Sequence, residues 1–151
     1  MKLMGMMRSL LTQRAIIGLL ASGLLGCGGG PDTAQVSGKV LFKDGTAPKG
    51  GVCAIQFLPA TDTTAEIRKA ASGDIREDGT FEVYTRKPGD GIFIGKYDVT
   101  FAVWESPMSS VSLIDAKYTK PSTTPFHVTI DDDADDLSFE IEPAPPAKPR
   151  R

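Results

Sequence analysis

The chain has 151 residues, which suits one domain with a modest core and is too short for two independent ones. Its 16 Gly and 11 Pro favour turns over long helices, while 40% apolar and 24% charged residues are ordinary for a globular protein. Six of the 17 basic residues lie near the two ends of the chain, at Lys2, Arg8, Arg14, Lys148, Arg150 and Arg151. The 11 other basic residues are outnumbered by 19 acidic ones, and this acidic body disfavours binding to nucleic acid.

The first element is a basic segment followed by an uncharged apolar one. Residues 1–14 carry three positive charges and no negative charge, and residues 15–25 read AIIGLLASGLL. This layout is typical of a secretion signal. The apolar stretch is also shorter than the roughly 20 residues that a membrane-spanning helix needs. We therefore expect residues 1–26 to be a signal peptide and not a permanent span.

The residues Leu24, Leu25, Gly26 and Cys27 resemble the lipobox of bacterial lipoproteins. In that family an apolar residue lies three positions before a cysteine, and the cysteine receives a diacylglycerol before the signal is removed. Leu25 departs from the commoner Ala or Ser at its position. The resemblance implies that Cys27 is the first mature residue and the lipidation site, so that membrane lipid is a partner through its acyl chains. An ordinary signal peptide with an incidental cysteine is the alternative.

The lipobox resemblance also implies a location and a tether. Gly28, and not Asp, follows the cysteine, which in sorted lipoproteins implies the outer membrane, on its periplasmic or surface face, over the inner membrane. Residues 27–34 are then a lipidated cysteine with a flexible spacer, because Gly28–Gly30 form a flexible run that Pro31 closes.

Short stretches of alternating apolar and polar residues predict strands throughout residues 35–142. In chain order they are QVSGKVLF (35–42), VCAIQFL (52–58), IRKAASGDI (67–75), FEVYT (81–85), KYDVTFAVW (96–104), FHVTI (126–130) and LSFEI (137–141). Asp44-Gly45 and Asp78-Gly79 predict tight turns. Seven strands without helical periodicity predict an all-β fold, an antiparallel sandwich of two sheets. Residues 143–151, rich in Pro, are expected to be a disordered basic tail.

The alternation also predicts the core. The residues expected to face inward are Val36, Val40, Phe42, Cys53, Ile55, Phe57, Phe81, Val83, Tyr97, Val99, Phe101, Val103, Phe126, Val128, Ile130, Leu137, Phe139 and Ile141.

Several of these stretches, in their order, resemble the carboxypeptidase-regulatory-like domain. They are VSGKV, DGT after the first strand, EDGTFEV and GKYDV, and the resemblance spans Val36 to Ile141. The segment IDAKYTKPSTTP is similar to one in small bacterial lipoproteins that carry this domain. The resemblance implies a seven-stranded Greek-key sandwich of the transthyretin type, used as a spacer, stabiliser or binding module without catalysis.

The acidic run DDDADD suggests one candidate metal site. Asp131, Asp133, Asp135 and Glu142 have the carboxylate spacing of a calcium loop. Asp136, however, stands where that loop needs glycine, and the flanks alternate as strands do. The alternative is a solvated turn that blunts the end of the sheet. The sequence implies no cofactor other than this candidate calcium ion.

Trp104 and Tyr118 flank the long irregular segment and are candidates for stacking on a glycan. His127 is the only histidine and is expected to point outward, without the second histidine or the serine elbow that its use in catalysis would need. Cys53, in an apolar run, is expected to be a buried thiol. The sequence thus predicts a lipid-anchored envelope protein that is not an enzyme and has a structural or interaction role. The alternative is a binding module for glycan or calcium, and the expected partners are envelope polysaccharide or other envelope proteins.

Overall fold

The computed structural model describes residues 32–146, and the predicted signal peptide, Cys27 and residues 147–151 lie outside the described part. The all-β prediction is confirmed. The strands are β1 (Thr33–Ala34), β2 (Val36–Phe42), β3 (Val52–Pro59), β4 (Ala71–Asp74), β5 (Thr80–Val83), β6 (Ile92–Phe93), β7 (Gly95–Trp104), β8 (His127–Ile130) and β9 (Ala134–Ile141). One short 3₁₀ helix, Ala116–Thr119, lies between β7 and β8.

The strands form a four-stranded sheet in the order β4-β3-β7-β8, a three-stranded sheet in the order β5-β2-β9, and a small ribbon of β1 with β6. The longest pairing joins β3 to β7, from Val52 opposite Trp104 to Pro59 opposite Tyr97. The β4–β5 hairpin links the two larger sheets. Its strand β4 pairs with β3, its strand β5 pairs with β2, and Ile75 forms a bridge to Phe81 on β5.

Two features of the sheets differ from the sequence-based expectation. β2 and β9 run parallel, with a bulge in the register between Val36 and Gly38, whereas an antiparallel arrangement was predicted. The reason is that residues 131–133 carry the chain from β8 in one sheet to β9 in the other, and alternation says nothing about which strand becomes the neighbour. The second difference is the β1–β6 ribbon, whose two-residue strands are too short to show a period and fall in segments predicted as spacer and loop.

The predicted inward faces form one hydrophobic core shared by the two larger sheets. Tyr97, Val99, Phe101 and Val103 are all buried, as the alternation in β7 predicts. Phe139 on β9 joins the sheets, with ring centroids 6.4 Å from Phe57 and 5.7 Å from Phe101. Burial of such side chains is the main stabilising contribution to the fold.

The two DGT turns have the same local structure. Asp44 Oδ1 accepts hydrogen bonds from the N–H and hydroxyl of Thr46, and Asp78 Oδ1 accepts the same pair from Thr80. Gly45 has φ +82° and Gly79 has φ +83°, in the left-handed region that favours glycine. The repeated motif therefore encodes one turn, used after β2 and between β4 and β5.

The direction of β7 defines two ends of the domain. Asp32 lies at one end, where its carbonyl accepts a hydrogen bond from Ile94 N–H next to the start of β7 at Gly95. Trp104 lies at the other end of β7, about 30 Å away at the usual rise of a strand. We call these the entry end and the far end.

Candidate functional site

The far end carries a loop, residues 105–111, that is held firmly at both of its bases. Gly51 N–H donates to Glu105 O at 3.0 Å, and Leu113 N–H donates to Val103 O at 2.8 Å. A Cβ added at Gly51 would lie 2.6 Å from Glu105 O, so the close approach of the two backbones requires glycine there. A turn in which Ser109 N–H donates to Ser106 O closes the loop between these bases.

The loop presents apolar side chains to solvent. Met108 is 95% exposed, Val111 is 63% exposed, and Trp104 at the end of β7 is 36% exposed. We call these three residues the far-end tip. Residues 106–114, SPMSSVSLI, carry no charge. Single exposed apolar side chains are ordinary, but three of them on or beside one loop make this end the candidate interaction surface.

The structure separates the two aromatic residues that the sequence grouped as a glycan platform. Trp104 is half-exposed at the far end, but Tyr118 is only 4% exposed, so the expectation of a surface tyrosine is wrong. Tyr118 is buried because the 3₁₀ helix folds it inward against Phe126 and Phe101, with ring centroids 5.6 and 6.4 Å away. Trp104 therefore lacks Tyr118 as a second stacking surface.

The four carboxylates proposed for calcium do not come together. Glu142 lies past the end of β9, where its carboxylate is paired with Lys43 and Lys117. Asp133 lies at the other end of β9, and its Oδ1 accepts a hydrogen bond from Gln35 N–H at 2.7 Å. Within residues 32–146, no group of three or more His, Cys, Asp or Glu side chains is placed to hold a metal ion. The structure therefore does not bring the four predicted carboxylates together, because β9 separates Glu142 from Asp131 and Asp133.

Glu142 instead forms ion pairs that connect the end of β9 to the end of β2 and to the 3₁₀ helix, all at the far end. Lys43 follows β2, and Lys117 lies in the 3₁₀ helix beside Tyr118. The hydrogen bonds and charges of the two lysines lower the pKa of Glu142 to about 2. Beside this cluster, Asp115 N–H donates to Glu142 O, and Pro143 bridges to Ile114. Ala144 N–H also donates to Leu113 O, so residues 143 and 144 pair with the segment that precedes the 3₁₀ helix.

His127 lies on the outer face of the four-stranded sheet, as expected. Its Nδ1 is 2.7 Å from Asp98 Oδ1 on the neighbouring strand β7. Lys96, two residues along β7, is paired with Asp62 at 2.7 Å, and both pairs line a cleft of about 310 Å³. The His127–Asp98 pair connects the edge strand β8 to β7, and the Lys96–Asp62 pair connects the loop after β3 to β7.

Two larger grooves lie along the three-stranded sheet, with volumes of about 450 and 540 Å³. They share Ser37, Arg76, Phe81 and Asp135 among their lining residues. Arg76 is 3.8 Å from Glu82 across the surface. Both grooves are lined by charged and apolar side chains together.

Cys53 is partly buried and its Sγ lies 3.7 Å from Pro48 O. Burial raises the pKa of its thiol, with only a weak opposing hydrogen bond to Gly50. A thiol in that state is a poor nucleophile. This environment favours the structural interpretation of Cys53.

Comparison with known proteins does not assign a family. No model of a known protein family, no curated protein and no solved structure matches the chain. Among the helices of residues 32–146, none has the length and apolar character to cross a membrane.

Sequence reasoning missed Met108 and Val111, the two most exposed members of the tip. A signal was present, because both lie in the uncharged run 106–114, within a segment that has no strand or helix periodicity. The sequence predicts no strand or helix that could cover an apolar side chain in such a segment. In the structure Met108 and Val111 are indeed exposed at the far end.

Proposed function

We propose that this chain is a lipid-anchored cell-envelope protein, held by acylated Cys27, whose β-sandwich domain has an interaction role and no catalytic one. The observation that carries the proposal is the short distance along the chain from the lipobox-like Leu24–Cys27 to the first strand at Thr33. Ala34 in that strand is buried and paired with Ile92, so the folded domain begins at Thr33, within the segment 27–34 predicted as spacer.

The spacer length limits how far the domain can move from an anchored Cys27. Five peptide steps separate Cys27 from Asp32, which at full extension gives roughly 17 Å. An acylated Cys27 would therefore keep the entry end near the head groups, and the far end would face away from the membrane. The outer membrane, periplasmic or surface face, is the proposed location on the basis of Gly28.

We further propose that the domain is a transthyretin-like Greek-key sandwich. Seven strands remain when the β1–β6 ribbon is set aside, and they form the two larger sheets around one core. The equivalent DGT turns support the resemblance to carboxypeptidase-regulatory-like domains, since their glycines adopt the backbone angles that the motif requires.

The experiment that tests the anchor is the intact mass of the protein purified from its own membranes. The expected mass is that of residues 27–151 plus a diacylglyceryl group, with or without a third acyl chain. The Cys27→Ser variant is the control. It should keep its signal peptide and should incorporate no radiolabelled fatty acid. An unprocessed amino terminus, or a processed one without acyl mass, would contradict the proposal.

A further inference from the structure

We propose that the far-end tip, Trp104, Met108 and Val111, docks into an apolar pocket with an uncharged rim on a second protein of the envelope. The inference deepens the proposed function and rests on it, since an anchored entry end is what directs the tip away from the membrane. It names the surface through which the domain interacts and the chemistry of the partner.

The side chains of the tip have the composition of a binding anchor. Trp and Met are enriched at the centres of protein interfaces, and Met adapts its shape to the pocket that it enters. The two hydrogen bonds at the bases of the loop hold it before binding. Less conformational entropy is then lost when the tip docks.

The area of the tip indicates the shape of its partner. A standard interface buries about 800 Å² on each side, and three side chains on one loop offer much less when pressed against a flat surface. Met108, at 95% exposure, can be covered on all sides only by a concave pocket. The uncharged run 106–114 requires a rim without charge, because an unpaired charge facing it would be desolvated.

A second copy of the chain is disfavoured, because the two grooves along its three-stranded sheet are lined by charged side chains that include Arg76 and Asp135. A glycan is disfavoured because Tyr118 is buried, which leaves Trp104 without the partner ring proposed from the sequence. A lipid surface is disfavoured because the far end is about 30 Å from the entry end along β7.

The test begins with photo-crosslinking of the full-length chain in the cells that make it. A photoreactive phenylalanine replaces Met108 in one strain and Thr64, an exposed residue at the entry end, in the control strain. We expect a discrete protein adduct from position 108 that position 64 does not give. The cross-linked protein is then identified, purified and titrated against the full chain.

In that titration Met108→Asp should weaken binding at least tenfold, because it places a charge in the pocket. Met108→Leu keeps an apolar side chain and should stay within threefold of wild type, and Thr64→Asp, the matched charge control, should leave binding unchanged. An adduct only to lipid, to glycan or to a second copy overturns the inference, as does the absence of an adduct or equal binding by Met108→Asp. Acylation is scored separately by mass, so a non-acylated protein that still binds contradicts the proposed function and not the docking site.

Discussion

The Tyr118 ring lies flat against the Phe126 ring, with centroids 5.6 Å apart and planes 18° apart. Phe126 in turn meets Phe139 of the other sheet edge-on at 5.2 Å. The segment between β7 and β8, which has little regular structure of its own, is thereby fastened into the core that the two larger sheets share.

Replacing Tyr118 by Ala should therefore destabilise the domain as the loss of a core aromatic does. The expected decrease in the free energy of unfolding is about 3–5 kcal/mol, measured by urea denaturation. Tyr118→Phe should change it by less than about 1 kcal/mol, because the hydroxyl has only a long 3.5 Å contact to Glu142 Oε2. Equal losses for Tyr118→Phe and Tyr118→Ala would show that the ring packing is not the main contribution.

The two DGT glycines form a matched pair. Both have φ near +80°, but a Cβ at Gly45 meets open space, whereas at Gly79 it would lie 2.5 Å from Val40 O. Gly45→Ala should cost about 1 kcal/mol from the backbone angle alone. Gly79→Ala should cost clearly more, because a buried carbonyl must also move. Urea denaturation of both variants checks this, and a Gly45→Ala loss as large as that of Gly79→Ala would contradict it.

Alternation predicted the all-β class and most of the strands. In β7 the alternation from Tyr97 to Val103 placed the four predicted inward side chains correctly, because burial on one face selects that pattern, although Thr100 on the other face is also buried. It could not predict that β9 lies parallel to β2, since strand order depends on how the connections cross between sheets. Nor could it find β1 and β6, because two residues cannot show a period.

The candidate sites were harder to predict, for a related reason. The carboxylate spacing from Asp131 to Glu142 assumes a loop, but β9 extends that segment and carries its two ends apart. Tyr118 was placed at the surface because it lies in an irregular segment, whereas tertiary packing buries it. Met108 and Val111 show the converse, since a loop residue becomes notable only when the structure shows that nothing covers it.

The single tryptophan offers a test of the orientation that the proposed anchor would impose. In vesicles that carry the acylated protein, Trp104 should be quenched weakly by lipids brominated in their acyl chains, because it lies at the far end. The comparison is the double variant Trp104→Phe with Ile67→Trp, since Ile67 is exposed at the entry end, in a cavity shared with Asp32. We expect stronger quenching there than at Trp104. Equal quenching of the two proteins would contradict an outward-facing far end.

The Glu142 cluster should make stability depend on pH in acid. The folded-state pKa of Glu142, about 2, lies below its ordinary value of 4.5, so the folded state favours the charged carboxylate. Its stabilising contribution is therefore complete above pH 4.5 and is lost as the pH falls towards about 2. The free energy of unfolding should decrease over that range, and the decrease should be smaller in Glu142→Gln, which has no carboxylate to protonate.

Other carboxylates contribute to the same acid limb, because hydrogen bonds to Thr46 and Thr80 lower the pKa values of Asp44 and Asp78. The difference between wild type and Glu142→Gln isolates the cluster. Glu66→Gln is the control, since Glu66 is exposed at the entry end, away from the cluster, and forms no ion pair within residues 32–146. Its pH profile should follow wild type. Chemical denaturation at intervals from pH 2 to 7 measures the stability of wild type and both variants. Parallel curves for wild type and Glu142→Gln would contradict the role of the two lysines. The attraction between Glu142 and the lysines should also weaken in high salt.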